Sequence, residues 1–285
     1  MPDNFGMLPV TVLVINLDRD TGRLAGIAAQ LDRLGLAWQR IPAVYGASLS
    51  EEDCARLVDR AGYGRRHGMF PSRGEIGCYL SHLDAMRALL ASPAQQALIL
   101  EDDVGLTEDL PEVLRALAAV PERWDMVKLS AVHGGTPRAV LPLTGRHALT
   151  VMLSQCTGSS AYVVNRFAAQ RYLERLLPMR LPYDHAYDRA WVLGLKVRRV
   201  DPLVALHDSE APSTIAAVSA ASGQSTASSR KFPWDRKLST YAWRIANELR
   251  RVFHGLVQVR RERRRVDRDA AATSVAPGAS EACGE

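Results

Sequence analysis

The sequence predicts an α/β fold built on a parallel sheet. Val10–Leu17 is an almost continuous apolar, β-branched run, the mark of a strand buried on both faces. A helical pattern and a second short strand follow directly, giving strand, helix, strand at βαβ spacing. A third apolar run, Ala97–Leu100, closes a further helical stretch and ends in three carboxylates.

The elements read in order as follows. Residues 21–35 carry Leu24, Ile27, Ala28, Leu31 and Leu34 at helical spacing, and Gly35 sits where a C-cap glycine belongs. Trp38–Ile41 is the second strand, and residues 50–62 a short helix. Ser72 and Glu75 form a capping box ahead of Ile76, Leu80, Leu83 and Leu90. Another face of that helix carries the small residues Gly74, Gly77, Cys78, Ser81 and Ala85, which let a backbone or a ligand come close. Leu110–Val120 reads as helix and Trp124–Leu129 as strand. Ser160–Val164 is strand, Arg166–Leu177 helix, Pro182–Leu193 helix and Lys196–Leu206 strand.

With 285 residues, 47% hydrophobic, the chain can bury one sizeable core. The catalytic body is expected over residues 1–229, ending in a Ser/Ala-rich linker at 209–229. A basic amphipathic helix at 230–268 and a small, polar, disordered tail at 269–285 follow. Met1–Pro9 carries no Lys or Arg, so the chain start reads as leading into a strand, not as a signal peptide or a membrane span. Cys54, Cys78, Cys156 and Cys283 form no C-x-x-C pair, which points away from a zinc site or a disulfide framework and toward a reducing compartment. The net charge of +5 is uneven: Arg230 onward holds 13 basic and 7 acidic residues, which leaves the body near −1. The basic pI therefore gives no case for nucleic-acid binding by the body.

In α/β sheets, ligands bind beyond the carboxyl ends of strands. Glu101-Asp102-Asp103 stands at such an end. If the extended backbone continues, Glu101 and Asp103 point the same way and Asp102 points elsewhere. Carboxylates of this kind hold Mg²⁺ or Mn²⁺ against a diphosphate. The plain alternative is a solvated acidic loop.

Six segments occur in order: Val14–Arg19 with Arg23, Arg40–Gly46, Gly74–Leu83, Leu98–Val104, Gly158–Asn165 and Pro182–His185. Together they resemble glycosyltransferase family 25, the lipooligosaccharide galactosyltransferase family of Gram-negative bacteria, over roughly residues 10–215. The resemblance implies a GT-A-like, Rossmann-type nucleotide-sugar-binding fold, here with a C-terminal helical extension. It implies inverting transfer of a hexose, above all galactose from UDP-galactose, to a saccharide or lipid-linked glycan in lipopolysaccharide or other surface-glycan synthesis. It places Asn16, Arg19 and Arg23 near the nucleotide, and Gly74, Ser81 and His82 beside the donor. Glu101 and Asp103 hold the metal, Asp102 faces the sugar or the protein, and residues 158–161 with Asp184 face sugar and acceptor.

Inverting transfer needs a general base for the acceptor hydroxyl. Asp184 and Asp188 lie one turn apart, and Asp184 is the favoured base; its alternative is a helix cap. His82 is either a donor contact or a packed structural histidine. His207 follows the last strand as a further candidate metal ligand. Arg19 and Arg23 either pair with phosphates or ribose or simply face solvent. A silent sugar- or nucleotide-binding protein on the same fold, tethered to a membrane or a synthase complex, is the competing reading.

In the tail, Leu238, Ala242, Ile245, Leu249, Val252, Leu256 and Val259 form one apolar stripe, and arginines cluster at 260–265. A basic amphipathic helix of this kind lies on an anionic membrane surface. The alternative is packing on the body or on a second copy. The expected location is cytoplasmic, peripheral on the inner face of the inner membrane.

Overall fold

A computed structural model describes residues 10–207 and 237–274. The expected linker lies outside the described residues. Strand β1 (Thr11–Asn16), helix α1 (Thr21–Arg33) and strand β2 (Trp38–Pro42) form the predicted βαβ unit. The expected helix at 50–62 is two helices, α2 (Glu51–Leu57) and α3 (Arg60–His67). Val58 leaves helical geometry between them to bridge to Met179, and Asp59 starts the new helix by accepting from the Gly62 amide. Helix α4 (Arg73–Ala91) opens with the full Ser72–Glu75 capping box. Strand β3 (Gln96–Glu101), strand β4 (Val104–Leu106), helix α5 (Leu110–Ala118) and strand β5 (Met126–Lys128) follow.

Strands β6 (Pro137–Pro142) and β7 (Ala148–Met152) form a hairpin in a region the sequence pattern left as loop. Strand β8 (Ala161–Asn165) leads into helix α6 (Arg166–Arg175). The single helix expected over 182–193 is two short turns, α7 (Tyr183–Ala186) and α8 (Ala190–Leu193). Strands β9 (Val197–Asp201) and β10 (Ala205–His207) replace the one strand expected at 196–206. Pro202, which lacks a backbone donor, stands between them.

Eight strands form one sheet in the order β2-β1-β3-β8-β5-β9-β7-β6, and β10 pairs with β4 beside it. The fold is α/β as expected, with a parallel, Rossmann-type half at β2-β1-β3. The sheet is mixed, not purely parallel: β8 runs antiparallel to both β3 and β5. This reversal carries the start of β8 to the carboxyl ends of its neighbours, where Glu101 N–H donates to the Ser160 carbonyl at 2.8 Å.

Strand alternation divides the core into two layers. Leu13, Ile15, Ala97, Ile99, Tyr162 and Val164 face one cluster with α4 and α6. Val12, Val14, Leu98, Leu100 and Val163 face the other with α1 and α5. Glu101 has the parity of Ala97 and Ile99, which aims it at α4.

The small-residue stripe of α4 serves backbone packing. A Cβ at Gly77 would stand 2.5 Å from the Val44 carbonyl oxygen and 2.8 Å from the Gly46 nitrogen. Alanine gains about 0.5–1 kcal/mol of helix preference over glycine. Overpacking against fixed backbone costs about 1–3 kcal/mol and prevails. Gly77→Ala is therefore expected to lower the thermal midpoint; an unchanged or higher midpoint contradicts this packing.

The last helix, α9 (Lys237–Ser274), runs past residue 268, where the pattern placed its end. It docks by its polar face. Arg251 makes two hydrogen bonds to Asp188, at 2.9 and 3.3 Å. Glu262 accepts from Arg123 at 3.1 Å and Arg198 at 2.8 Å, and Asn247 accepts from Arg189 at 3.1 Å. Of the predicted apolar stripe, only Val259 is buried against the body. Leu238, Ile245, Leu249 and Leu256 face outward, with Tyr241 and Phe253 beside them.

Candidate active site

The carboxylates of the Glu101–Asp103 triplet divide between two networks. Strand β3 ends at Glu101, and residues 102–103 turn, so the alternation expected for extended chain stops there. Glu101 Oε1 accepts from Ser159 Oγ at 2.9 Å and lies 3.2 Å from His82 Nε2. His82 Nδ1 is 3.0 Å from the Tyr162 hydroxyl, which is 2.9 Å from that of Tyr183. The carboxylate fixes the sense of this chain: Nε2–H donates to Glu101, Nδ1 accepts from Tyr162, and Tyr162 accepts from Tyr183. The opposite sense would set a bare ring nitrogen against a carboxylate. The His82 ring stacks on Tyr183 at 4.2 Å, and burial pushes both phenols well above their usual range.

His82, 1% exposed, lies behind Glu101 and approaches its carboxylate through Nε2. Ser81 is likewise internal, accepting from the Val44 amide at 2.8 Å and donating to the Gly77 carbonyl at 2.7 Å. Gly74 is buried beneath the turn at Gly46, where a Cβ on Gly46 would collide with the Arg73 carbonyl. All three of these positions on α4 are buried.

The second network belongs to Asn16, 2% exposed at the end of β1. Its amide donates to Asp102 Oδ2 at 2.6 Å and to the Asp20 carbonyl at 3.0 Å, while its Oδ1 accepts from Arg40 at 3.0 Å. Arg23 lies 3.3 Å from Asp102 and 3.5 Å from Asp103. Burial pushes the Asp102 carboxyl up, against the pull of Asn16 and Arg23 in the other direction. Arg19 stands at the rim, over the Tyr45 ring at 4.8 Å. Arg40 and Tyr45 are functional candidates that residue type alone did not single out. The signal lay in their shared Arg40–Gly46 segment.

Asp184 Oδ2 accepts from the Gly158 amide at 3.1 Å. It does not cap its own helix, whose N-cap is Pro182. Gly158 has φ +99°, and a Cβ there would stand 2.9 Å from the Val132 nitrogen, so both conformation and space call for glycine. The loop thus brings Ser159 to Glu101 and its backbone to Asp184. Asp188, the other candidate base, is 4% exposed and bound to Arg251, so it holds α9 instead. The backbone of His207 pairs with Val104, directly after the triplet; its side chain lies outside the described residues.

Cys78, His82 and Glu101 each place a ligand atom within 4.8 Å of the others. Burial first, then Glu101, Asp184, Glu75 and Asp103, push the Cys78 thiol well above its usual range. The same carboxylates are the hard oxygen donors that suit Mg²⁺ or Mn²⁺. Glu101 therefore fits a hard divalent cation, while Asp103 lies 3.5 Å from Arg23 in the other network.

A carboxylate-lined mouth at the carboxyl end of a Rossmann-type half, flanked by Asn16 and Arg23, coincides with a family match. The model for "Glycosyltransferase family 25 (LPS biosynthesis protein)" matches residues 10–135. Over these residues the chain is similar to glycosyltransferase family 25. A glycosyltransferase 25 family member of Anopheles gambiae is 35% identical over 96 residues, 33% of this chain and 16% of that protein. Procollagen galactosyltransferase 1-B of Xenopus laevis is 25% identical over 147 residues, 49% of this chain and 24% of that protein. The inactive glycosyltransferase 25 family member 3 of Mus musculus is 25% identical over 215 residues, 68% of this chain and 36% of that protein. The chain thus matches less than two-fifths of the length of each of these three relatives. The family 25 match contains Asn16, Arg23, His82 and the triplet, while Ser159 and Asp184 lie beyond it.

Proposed function

We propose that the chain is an inverting glycosyltransferase that moves a hexose, in the first instance galactose from UDP-galactose, to a saccharide acceptor of surface-glycan synthesis. One observation carries the reading: the Gly158–Ser159 loop ties Asp184 to Glu101 at the end of β3, and the turn that follows ties Asp102 and Asp103 to Asn16 and Arg23. Glu101 and Asp103 would hold Mn²⁺ or Mg²⁺, which when bound neutralises the diphosphate leaving group. Arg23 adds positive charge on the same side. Asp184 takes the acceptor proton, with Oδ2 fixed by the Gly158 amide and Oδ1 4.0 Å from His185 Nε2. UDP released from UDP-galactose in the presence of Mn²⁺ and a glycan acceptor tests the proposal. UDP-sugar binding without turnover across donors and acceptors would sink it in favour of the silent binding protein, a reading the inactive mouse relative keeps in play.

The same proposal places the enzyme in the cytoplasm, peripheral on the inner face of the inner membrane. No helix among the described residues is long and apolar enough to cross a bilayer. What supports a surface location is the outward stripe of α9, with Leu238 80% and Phe253 72% exposed next to an arginine-rich end. Ile245→Glu with Phe253→Glu is expected to abolish sedimentation with anionic vesicles while leaving the thermal midpoint in place. Undiminished sedimentation removes the helix from membrane binding.

A further inference from the structure

A cavity of about 290 Å³ lies between α3, the α6–α8 region and α9, away from the carboxylates. Five arginines line it: Arg66, Arg175, Arg180, Arg189 and Arg250, with Trp243 beside them; no carboxylate lines it among the described residues. The cationic groups come from four separate stretches of chain, so their convergence is a product of the tertiary fold. Asp59 answers only part of the charge, accepting from Arg180 at 3.0 Å.

Arg66 and Arg189 form the half-buried floor of this cluster, and Arg175, Arg180 and Arg250 are exposed at its edge. Arg189 is half-buried, hydrogen-bonded to Asn247 and positioned over the Trp243 ring at 5.3 Å. Burial, then the charge of Arg66, pushes its guanidinium down to about 10. The buried Nη1 of Arg66 has no hydrogen-bond acceptor among the described residues. Gly62 leaves room for that guanidinium, since a Cβ there would stand 2.6 Å from Nη1. Gathering like charges costs Coulomb energy that a bound anion returns.

We propose that this cavity binds a phosphoryl group on a ligand other than the nucleotide-sugar. Planar guanidinium forks match phosphate oxygens in pairs of hydrogen bonds. The volume of about 290 Å³ is enough for one phosphorylated sugar or headgroup. The site is separate from the donor mouth: Tyr79 lines the cavity, packs edge-on against Tyr183 at 5.4 Å, and Tyr183 stacks on His82. Three rings therefore stand between the arginines and Glu101. The phosphate belongs either to a soluble phosphorylated saccharide or to a phospholipid headgroup, and the test separates the two.

The full chain is titrated with inorganic phosphate at constant ionic strength by calorimetry, beside the double variant Arg175→Gln, Arg250→Gln. Both residues are exposed, which keeps the fold intact. The wild type is expected to bind phosphate, and the variant to bind it about tenfold or more weakly. UDP binding is expected to be equal in the two proteins. No phosphate binding by the wild type, or equal affinity in both, overturns the proposal. Vesicles of phosphatidylcholine with and without phosphatidic acid then name the source. Phosphatidic-acid vesicles retained by the wild type and lost by the variant assign the phosphate to a lipid headgroup. Equal retention, alongside the tenfold difference for inorganic phosphate, assigns it to a soluble saccharide.

Discussion

Asp184→Asn is expected to lower hexose transfer by about a hundred- to ten-thousandfold, the usual worth of a positioned general base. The asparagine oxygen still accepts from the Gly158 amide, so the loop that carries Ser159 keeps its shape. UDP-sugar affinity should therefore match the wild type, and the loss should fall on kcat. Turnover near the wild-type level in a variant of unchanged thermal midpoint would remove Asp184 from the mechanism. A rise in KM alone would reassign it to acceptor binding. Asp188→Asn serves as a contrast, because that carboxylate faces Arg251 and not the mouth.

Arg251→Met is expected to be the most destabilising single substitution on α9. It leaves Asp188, 4% exposed, as a buried charge without its partner, which costs about 3–5 kcal/mol. For a chain of this size that lowers the thermal midpoint by roughly 10 °C. Adding Asp188→Leu to Arg251→Met should recover much of the loss, since removing both charges ends the desolvation cost. A single variant as stable as the wild type would show that α9 is not anchored at this pair. The same buried pairs explain why deleting everything after residue 229 is a poor probe of membrane binding. Arg123 and Arg198 would lose Glu262 together with the helix. Point changes on the outward stripe avoid that damage.

The grouping of Asn16, Arg23 and the triplet at one end of the sheet was legible in the sequence because its parts are local. A buried strand that ends in Asn16, a helix whose first turns hold Arg19 and Arg23, and a buried strand that ends in three carboxylates need only periodicity and position. The hairpin at β6 and β7 was hidden, because β6 buries only Val140 while β7 is buried without a break from Leu149 to Met152, so neither strand shows a period of two. The roles of Ser81 and His82 were hidden for another reason. A polar residue on a helix looks the same in sequence whether it faces a ligand or a buried acceptor, and here the acceptor of His82 stands on a different strand.

The sequence by itself determined the βαβ start, the capped α4, the acidic strand end and the long basic helix, since each follows from side-chain periodicity over one element. The tertiary structure decided how the triplet is used. Chain reversal at β8 brings Ser159 to Glu101 across 58 positions, and the turn after β3 hands Asp102 and Asp103 to Asn16 and Arg23. It also decided that α9 docks by its charged face and that five arginines share one cavity. Those outcomes depend on which distant groups meet in a low-dielectric interior, where a single partner changes the energy of a charge by several kcal/mol. No local pattern records that meeting.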